Sequence, residues 1–135
     1  MRAAARGFWD AIDRLVAECR LVIDRPAGSR HPRFPEVVFP IDYGYLEGTT
    51  TSDGEGIDVW IGSAPERRVT GVACTIDFQK HDLELKILLA CTPEEMARIR
   101  GFHNSEFQRG WLIERPPHPA REDRGAPKQA DGSLR

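Results

Sequence analysis

The sequence predicts a small, mainly β domain with flanking helices, α+β in class. Two stretches with helically spaced apolar residues bracket the middle of the chain. Between them lie about five short β-rich runs split by turn residues. No strand–helix–strand alternation runs through that middle, so a small antiparallel or mixed barrel is favoured over a doubly wound sheet.

The first helix is expected over residues 4–19, where Phe8, Ile12, Leu15, Val16 and Cys19 form one apolar stripe and Ala-rich flanks raise helix propensity. Leu21-Val22-Ile23 opens the β-rich texture. Pro26, Gly28, Pro32, Pro35 and Pro40 mark an irregular connection, with Val37-Val38-Phe39 as a short strand inside it. Residues 43–46 read as extended, and residues 49–56 as a loop with an Asp-Gly turn. Residues 57–61 alternate Ile57, Val59 and Ile61 with Asp58 and Trp60, the pattern of a half-buried strand. Residues 69–76 and 83–90 continue the set. Thr92-Pro93-Glu94-Glu95 then offers an N-cap, a proline suited to the first helical position and a capping-box glutamate. Met96, Ile99 and Phe102 follow at core spacing, to a helix end near His103, and residues 110–114 form a last short strand. The domain is expected over 1–115. In residues 116–135, rich in proline and charge, Leu134 is the one large apolar side chain, so a disordered tail is expected there.

The 135 residues suit one core, and the 40% hydrophobic and 30% charged content is that of a globular chain. No apolar run approaches the ~20 residues of a membrane span, and the start breaks into Trp9, Asp10 and Asp13 rather than a secretory apolar stretch. Cys19, Cys74 and Cys91 are too scattered for a disulfide framework or a Cys-x-x-Cys site, so reduced thiols in a cytoplasm are expected. A net charge of −2 and the lack of a basic stripe interleaved with aromatics argue against nucleic acid. His31, His81, His103 and His118 lack metal spacing, and neither a phosphate-loop motif nor a Gly-x-Ser-x-Gly elbow is present.

Two clusters carry chemistry. Asp53, Glu55 and Asp58 fall within six residues at a glycine turn entering a strand. Glycines allow such acids to converge, and convergence is costly unless a cation neutralises it. Hard divalent ions such as Mg²⁺ take carboxylate oxygens and keep several waters. The alternative is a hairpin with solvated acids. Asp77 and Asp82, five apart, also join two β-runs. Facing one mouth, these acids would suit a two-metal site for phosphoryl chemistry; exposed hairpin ends are again the alternative. Arg20, Arg25, Arg30, Arg33 and Lys86 are candidate cations for an anionic phosphate, each with surface solubility as its plain alternative. A hydroxyl of Tyr43 or Tyr45 beside Gly44 suits a phosphate oxygen, or a core aromatic cluster.

The run FPIDYGYLEGTTTSDGEGIDVWIG, residues 39–62, resembles the core of the soluble family I inorganic pyrophosphatases. Pro40, Tyr43 and Gly44 match that family's Pro-x-x-Tyr-Gly segment. Asp53 and Asp58 match the first and third acids of its Asp-x-Asp-Pro-x-Asp loop, and Asp77 and Asp82 its two later aspartates. The match covers roughly residues 20–90, about half of the chain. The resemblance implies a five-stranded OB-like barrel with flanking helices and Mg²⁺-dependent hydrolysis of pyrophosphate to two phosphates. It implies Asp53, Asp58, Asp77 and Asp82 as metal ligands, Glu55 and Asp58 as the catalytic acids, and Tyr43, Arg20, Arg30, Arg33 and Lys86 as phosphate-binding residues. A homo-oligomer is plausible on the same ground. The departures are Glu55 in place of the middle aspartate, Gly56 in place of the proline, and Glu84 at the basic position two past the last aspartate, with Lys86 two further on the same strand face. They keep two further readings open: a phosphohydrolase for another small phosphoanhydride or ester, and an anion-binding barrel without turnover.

Overall fold

A computed structural model describes residues 2–52 and 54–117. Helix α1 (Arg2–Glu18) leads into strand β1 (Leu21–Arg25); β2 (Asp42–Leu46), β3 (Ile57–Ile61), β4 (Val69–Asp77) and β5 (Asp82–Leu89) follow; helix α2 (Pro93–Phe102) precedes β6 (Gln108–Glu114). The fold class is the expected one. The strands form one sheet in the order β1-β2-β3-β5-β4-β6. It has one strand more than the resemblance implied, because β6 pairs along most of β4, from Gly71–Glu114 to Asp77–Gln108, and it is not closed. The disordered tail expected from residue 116 lies, from 118 onward, outside the described residues. No described helix is long and apolar enough to cross a membrane.

Strand alternation places every other side chain on opposite faces. On one face Trp9, Ile12 and Val16 of α1 pack with Val59, Val72, Ile87 and Leu89. On the other, Met96 and Ile99 of α2 pack with Trp60, Ala73, Leu88 and Phe39. The stripe of α1 is rotated from the expected one: Trp9 is buried while Phe8 is 47% exposed. Arg115 packs against the buried Trp9. Its guanidinium lies 5.9 Å from the Trp9 ring and bonds Asp13 at 2.8 Å, while the other Asp13 oxygen accepts the Val69 N–H. The capping box of α2 is present, with Thr92 and Glu95 bonding each other's backbone N–H. The run Val37-Val38-Phe39 forms no strand; it keeps a single bridge, Arg30 to Val38, in a stretch where prolines remove ladder donors.

Candidate functional site

Three adjacent strands assemble the site on the α2 face. β2 and β3 are antiparallel, with Tyr45 opposite Asp58 and Tyr43 opposite Trp60. β3 runs parallel to β5, with Val59 beside Ile87. One residue back on each strand, Asp58 and Lys86 therefore stand side by side. The Lys86 ammonium donates to Asp58 Oδ2 at 3.0 Å, to the Tyr43 hydroxyl at 3.0 Å and to Glu84 Oε1 at 2.9 Å. An ammonium has three protons, and all three are used. The single Tyr43 proton goes to Asp58 Oδ2, at 2.7 Å. In this arrangement the hydroxyl holds Asp58 and does not point a proton at an incoming phosphate.

The Lys86 side chain is only 8% exposed. Burial alone would lower its pKa, but the oxygens of Tyr43, Asp58 and Glu84 outweigh burial and hold it above the usual lysine value. Burial pushes the Tyr43 phenol up, and Asp58 adds to the rise against the opposing charge of Lys86. At neutral pH the phenol is thus neutral and Lys86 an ammonium.

The cluster opens into a cleft of about 640 Å³. Tyr43, Glu55, Asp58, Asp77, Lys86, Arg33 and Arg25, all candidates from the sequence, line it. Arg20 does not: it forms an exposed pair with Glu47 at 3.2 Å. Arg30 donates to the Pro35 carbonyl and is also outside the lining. Asp82 sits off the cleft with its carboxylate 3.7 Å from the Lys80 ammonium. Asp53 lies outside the described residues. Glu84, His31 and Lys80 line the cleft without having been expected there. Strand parity signals Glu84, which shares a face with Lys86.

Asp77 is a turn residue as well as a cleft residue. Its Oδ1 accepts the N–H groups of Gln79 and Lys80, both at 2.9 Å. Those bonds, Lys80's first, hold its carboxyl below the usual range against the effect of burial. His31 stacks on Phe39. Its pKa is lowered by burial and by the nearby charges of Arg25, Arg33 and Lys80, so at neutral pH the imidazole adds no charge to that cationic side.

Aromatic rings form the floor. Tyr43 and Trp60 meet edge to face at 4.5 Å, and Phe39 and Phe102 close around Trp60. The indole N–H of Trp60 donates to His103 Nε2 at 2.9 Å. Indole nitrogen is donor only. His103 therefore carries its proton on Nδ1 and donates it to Gln108 Oε1 at 2.7 Å.

Among the described residues, no three His, Cys, Asp or Glu side chains converge on one point. The donor chemistry suits Mg²⁺ in a different arrangement. Mg²⁺ is commonly held by one or two carboxylates, with waters and substrate phosphates completing its shell. Tyr43 and Lys86 both take Oδ2 of Asp58, and Oδ1 stands outside those bonds; Glu55 and Glu84 add carboxylates to the same cleft.

Structural comparison then defines the fold. An inorganic pyrophosphatase from Neisseria gonorrhoeae superposes with a TM-score of 0.54 over 66% of this chain and 77% of that one, at 18% identity. The chain has a pyrophosphatase-like fold. An inorganic phosphatase from Anaplasma phagocytophilum matches over 70% of this chain and 81% of its own, at 15% identity and a TM-score of 0.49. An inorganic pyrophosphatase from Helicobacter pylori matches over the same shares, at 13% identity and a TM-score of 0.47. No family model and no curated protein matches the sequence.

Proposed function

We propose that the chain is a magnesium-dependent hydrolase of inorganic pyrophosphate. One observation carries the reading: Tyr43, Asp58, Lys86 and Glu84 form a continuous hydrogen-bonded group in a cleft that also gathers Arg25, Arg33 and Lys80. Pyrophosphate is a dense polyanion, so its site needs fixed positive charge, and leaving-group charge must be stabilised as it develops. Arg33 holds phosphate oxygens, with Arg25 and Lys80 at the same cationic side, while Lys86 adds its charge from behind Asp58 and Glu84. Arg fits a phosphate bidentately, whereas Lys acts as a point charge.

Asp58 and Glu84 hold the metal together with substrate oxygens, and Asp77 sits at the cleft edge. Glu84 takes the place the sequence suggested for Asp82, which makes Lys86 the basic residue two past the last acid. Mg²⁺ bound there would lower the pKa of a coordinated water and neutralise phosphate charge. Glu55 and Asp58 are the candidate bases for that water, and Tyr43 fixes which Asp58 oxygen faces the cleft. Asp53 belongs to the proposed metal set on the resemblance alone. Arg20 and Arg30 have no role in this reading.

A reading without turnover has one observation in its favour: Lys86 already satisfies both Asp58 and Glu84, so an anion can be held without a metal. Phosphate release from pyrophosphate, with and without Mg²⁺, for wild type and Asp58→Asn separates the two. Mg²⁺-dependent release that collapses in the variant is the expected result. Pyrophosphate binding without release would move the assignment to an anion-binding domain.

A further inference from the structure

We propose that Gln108 is a positioning residue for the cleft: its side-chain amide, fixed in direction by Trp60 and His103, holds the Asp77 carboxylate turned toward magnesium and its waters. The inference rests on the reading of this cleft as a magnesium-dependent phosphoanhydride site.

A chain of polar side chains leads from the aromatic floor to the rim. The Trp60 indole is fully buried, and its nitrogen can only donate. Its proton goes to His103 Nε2 at 2.9 Å, so that nitrogen is the bare one. The imidazole proton is then on Nδ1, which meets Gln108 Oε1 at 2.7 Å. An acceptor is required there, so the amide turns its oxygen to His103 and its NH₂ away from it. An amide and an imidazole are each ambiguous alone and are oriented by their network. Here one donor-only indole orients both.

Asp77 stands beyond that amide. Gln108 opens β6, Asp77 closes β4, and the two are partners in register. Alternation puts both on the α2 face with Ala73 and Leu112. Gln108, Asp77 and His103 all line the cleft. Oδ1 of Asp77 takes the N–H groups of Gln79 and Lys80, which fixes the carboxylate from the turn side. Lys80's bond is the largest of those that keep this carboxyl low, and the Gln108 amide is among the others, from the strand side.

The seat of the chain is tightly made. His103 is the C-cap of α2 and only 2% exposed. Gly110, two residues along from Gln108 on the same face, makes room for it: a Cβ there would lie 2.7 Å from that of His103. Packing of the floor asks only for an acceptor to the indole. Continuing the chain through Gln108 to a cleft acid supplies what metal-binding carboxylates commonly have, a hydrogen-bonded partner that sets their orientation.

The test uses the full chain and four variants. Gln108→Glu keeps an acceptor for His103 but gives Asp77 no donor; Gln108→Leu removes both. His103→Gln keeps the direction of the chain, accepting from Trp60 and donating to Gln108, whereas His103→Leu breaks it. Mg²⁺ affinity by calorimetry, and the Mg²⁺ concentration for half-maximal phosphate release from pyrophosphate, should both weaken about tenfold or more in the two Gln108 variants and in His103→Leu. His103→Gln should retain most of the wild-type behaviour. In the metal-free chain, nitrogen NMR should show the His103 proton on Nδ1. It should also show a shifted Gln108 amide signal that is lost in Asp77→Ser, which keeps an oxygen for the turn. A wild type that neither binds Mg²⁺ nor releases phosphate overturns the reading of the cleft. A wild type that does both, with both Gln108 variants unchanged, overturns only the positioning role. A His103 proton on Nε2, or a Gln108 amide signal indifferent to Asp77→Ser, overturns it as well.

Discussion

The Tyr43 hydroxyl donates to Asp58 Oδ2 at 2.7 Å across the β2–β3 pair, and the same oxygen receives Lys86 at 3.0 Å. One phenol thus fixes the orientation of a carboxylate and completes the shell of an ammonium. Tyr43→Phe keeps the ring in the Phe39–Trp60 cluster and removes only the bridge. Phosphate release from pyrophosphate should fall roughly tenfold to a hundredfold, the cost of a misplaced reacting group. Stability should fall by only about 1–2 kcal/mol, the cost of a lost part-buried hydrogen bond. Steady-state kinetics and denaturant unfolding check the two numbers separately.

Glu84 and Asp82 lie two apart on one strand, but only Glu84 lines the cleft. Glu84→Gln removes the charge facing Lys86 and should reduce turnover by about tenfold or more, in line with loss of a charge-assisted contact. Asp82→Asn loses only a long, exposed pairing with Lys80 and should stay within about twofold, since such pairs contribute little. Equal effects from both variants would refute the placement of Glu84 in the site.

Burial holds His103 at a pKa of about 4, below its ordinary 6.5, against the opposing effect of the hydrogen bond it donates to Gln108. The unfolded chain therefore binds this proton first as pH falls. The stabilisation is complete above pH 6.5 and is lost as pH drops toward 4. Up to roughly 3 kcal/mol is at stake over that window. Protonation would also oppose two donors, the new imidazolium proton and the Trp60 N–H. His103→Gln retains an acceptor for Trp60 and does not titrate, so its Tm should vary less between pH 6.5 and 4. Thermal scans across that range measure the difference.

Gly44 follows Tyr43 on β2 and faces Ile23 of β1 in register. A Cβ at this position would strike the Val22 carbonyl and crowd the Ile23 Cα. Backbone cannot yield as a flexible side chain would, so Gly44→Ala should force β1 off β2 and cost about 3 kcal/mol, the upper range for overpacking. Because Tyr43 is the adjacent residue, turnover should fall with stability, and hydrogen exchange should show the loss concentrated in β1 and β2.

Local signals in the sequence reached far into this structure. The Thr92–Glu95 capping box, the strand over 57–61 and the two β-runs expected over 69–76 and 83–90 are each decided by a few neighbouring residues, and each is present, although Trp60, expected opposite the apolar face of its strand, is buried as fully as Val59. The resemblance located Tyr43, Asp58 and Lys86, which the strands then bring within hydrogen-bond reach. What escaped depends on long-range geometry. Asp82 and Glu84 have the same parity, so alternation places both on one face and does not say which overlooks the cleft. That is decided by where β5 passes beside β3. Arg20 reads as a cation near the first strand, yet it precedes β1 and turns toward Glu47. Phe8 and Trp9 are adjacent on one helix, and the buried one, Trp9, packs under Arg115 near the far end of the described chain, a partner no local pattern names.

The parallel register between β3 and β5 has a consequence for how the molecule matures. Antiparallel neighbours such as β1–β2 or β4–β5 can zip from a nearby turn, but β3 meets β5 only after the chain has passed through all of β4 and returned. Closing that span requires loop entropy to be lost before any contact rewards it. Asp58 and Lys86 sit on the two sides of this seam, so the acid–ammonium pair is among the last things the folding chain completes. In a refolding experiment, ligand binding should return with the slowest phase, after most of the secondary structure is already in place.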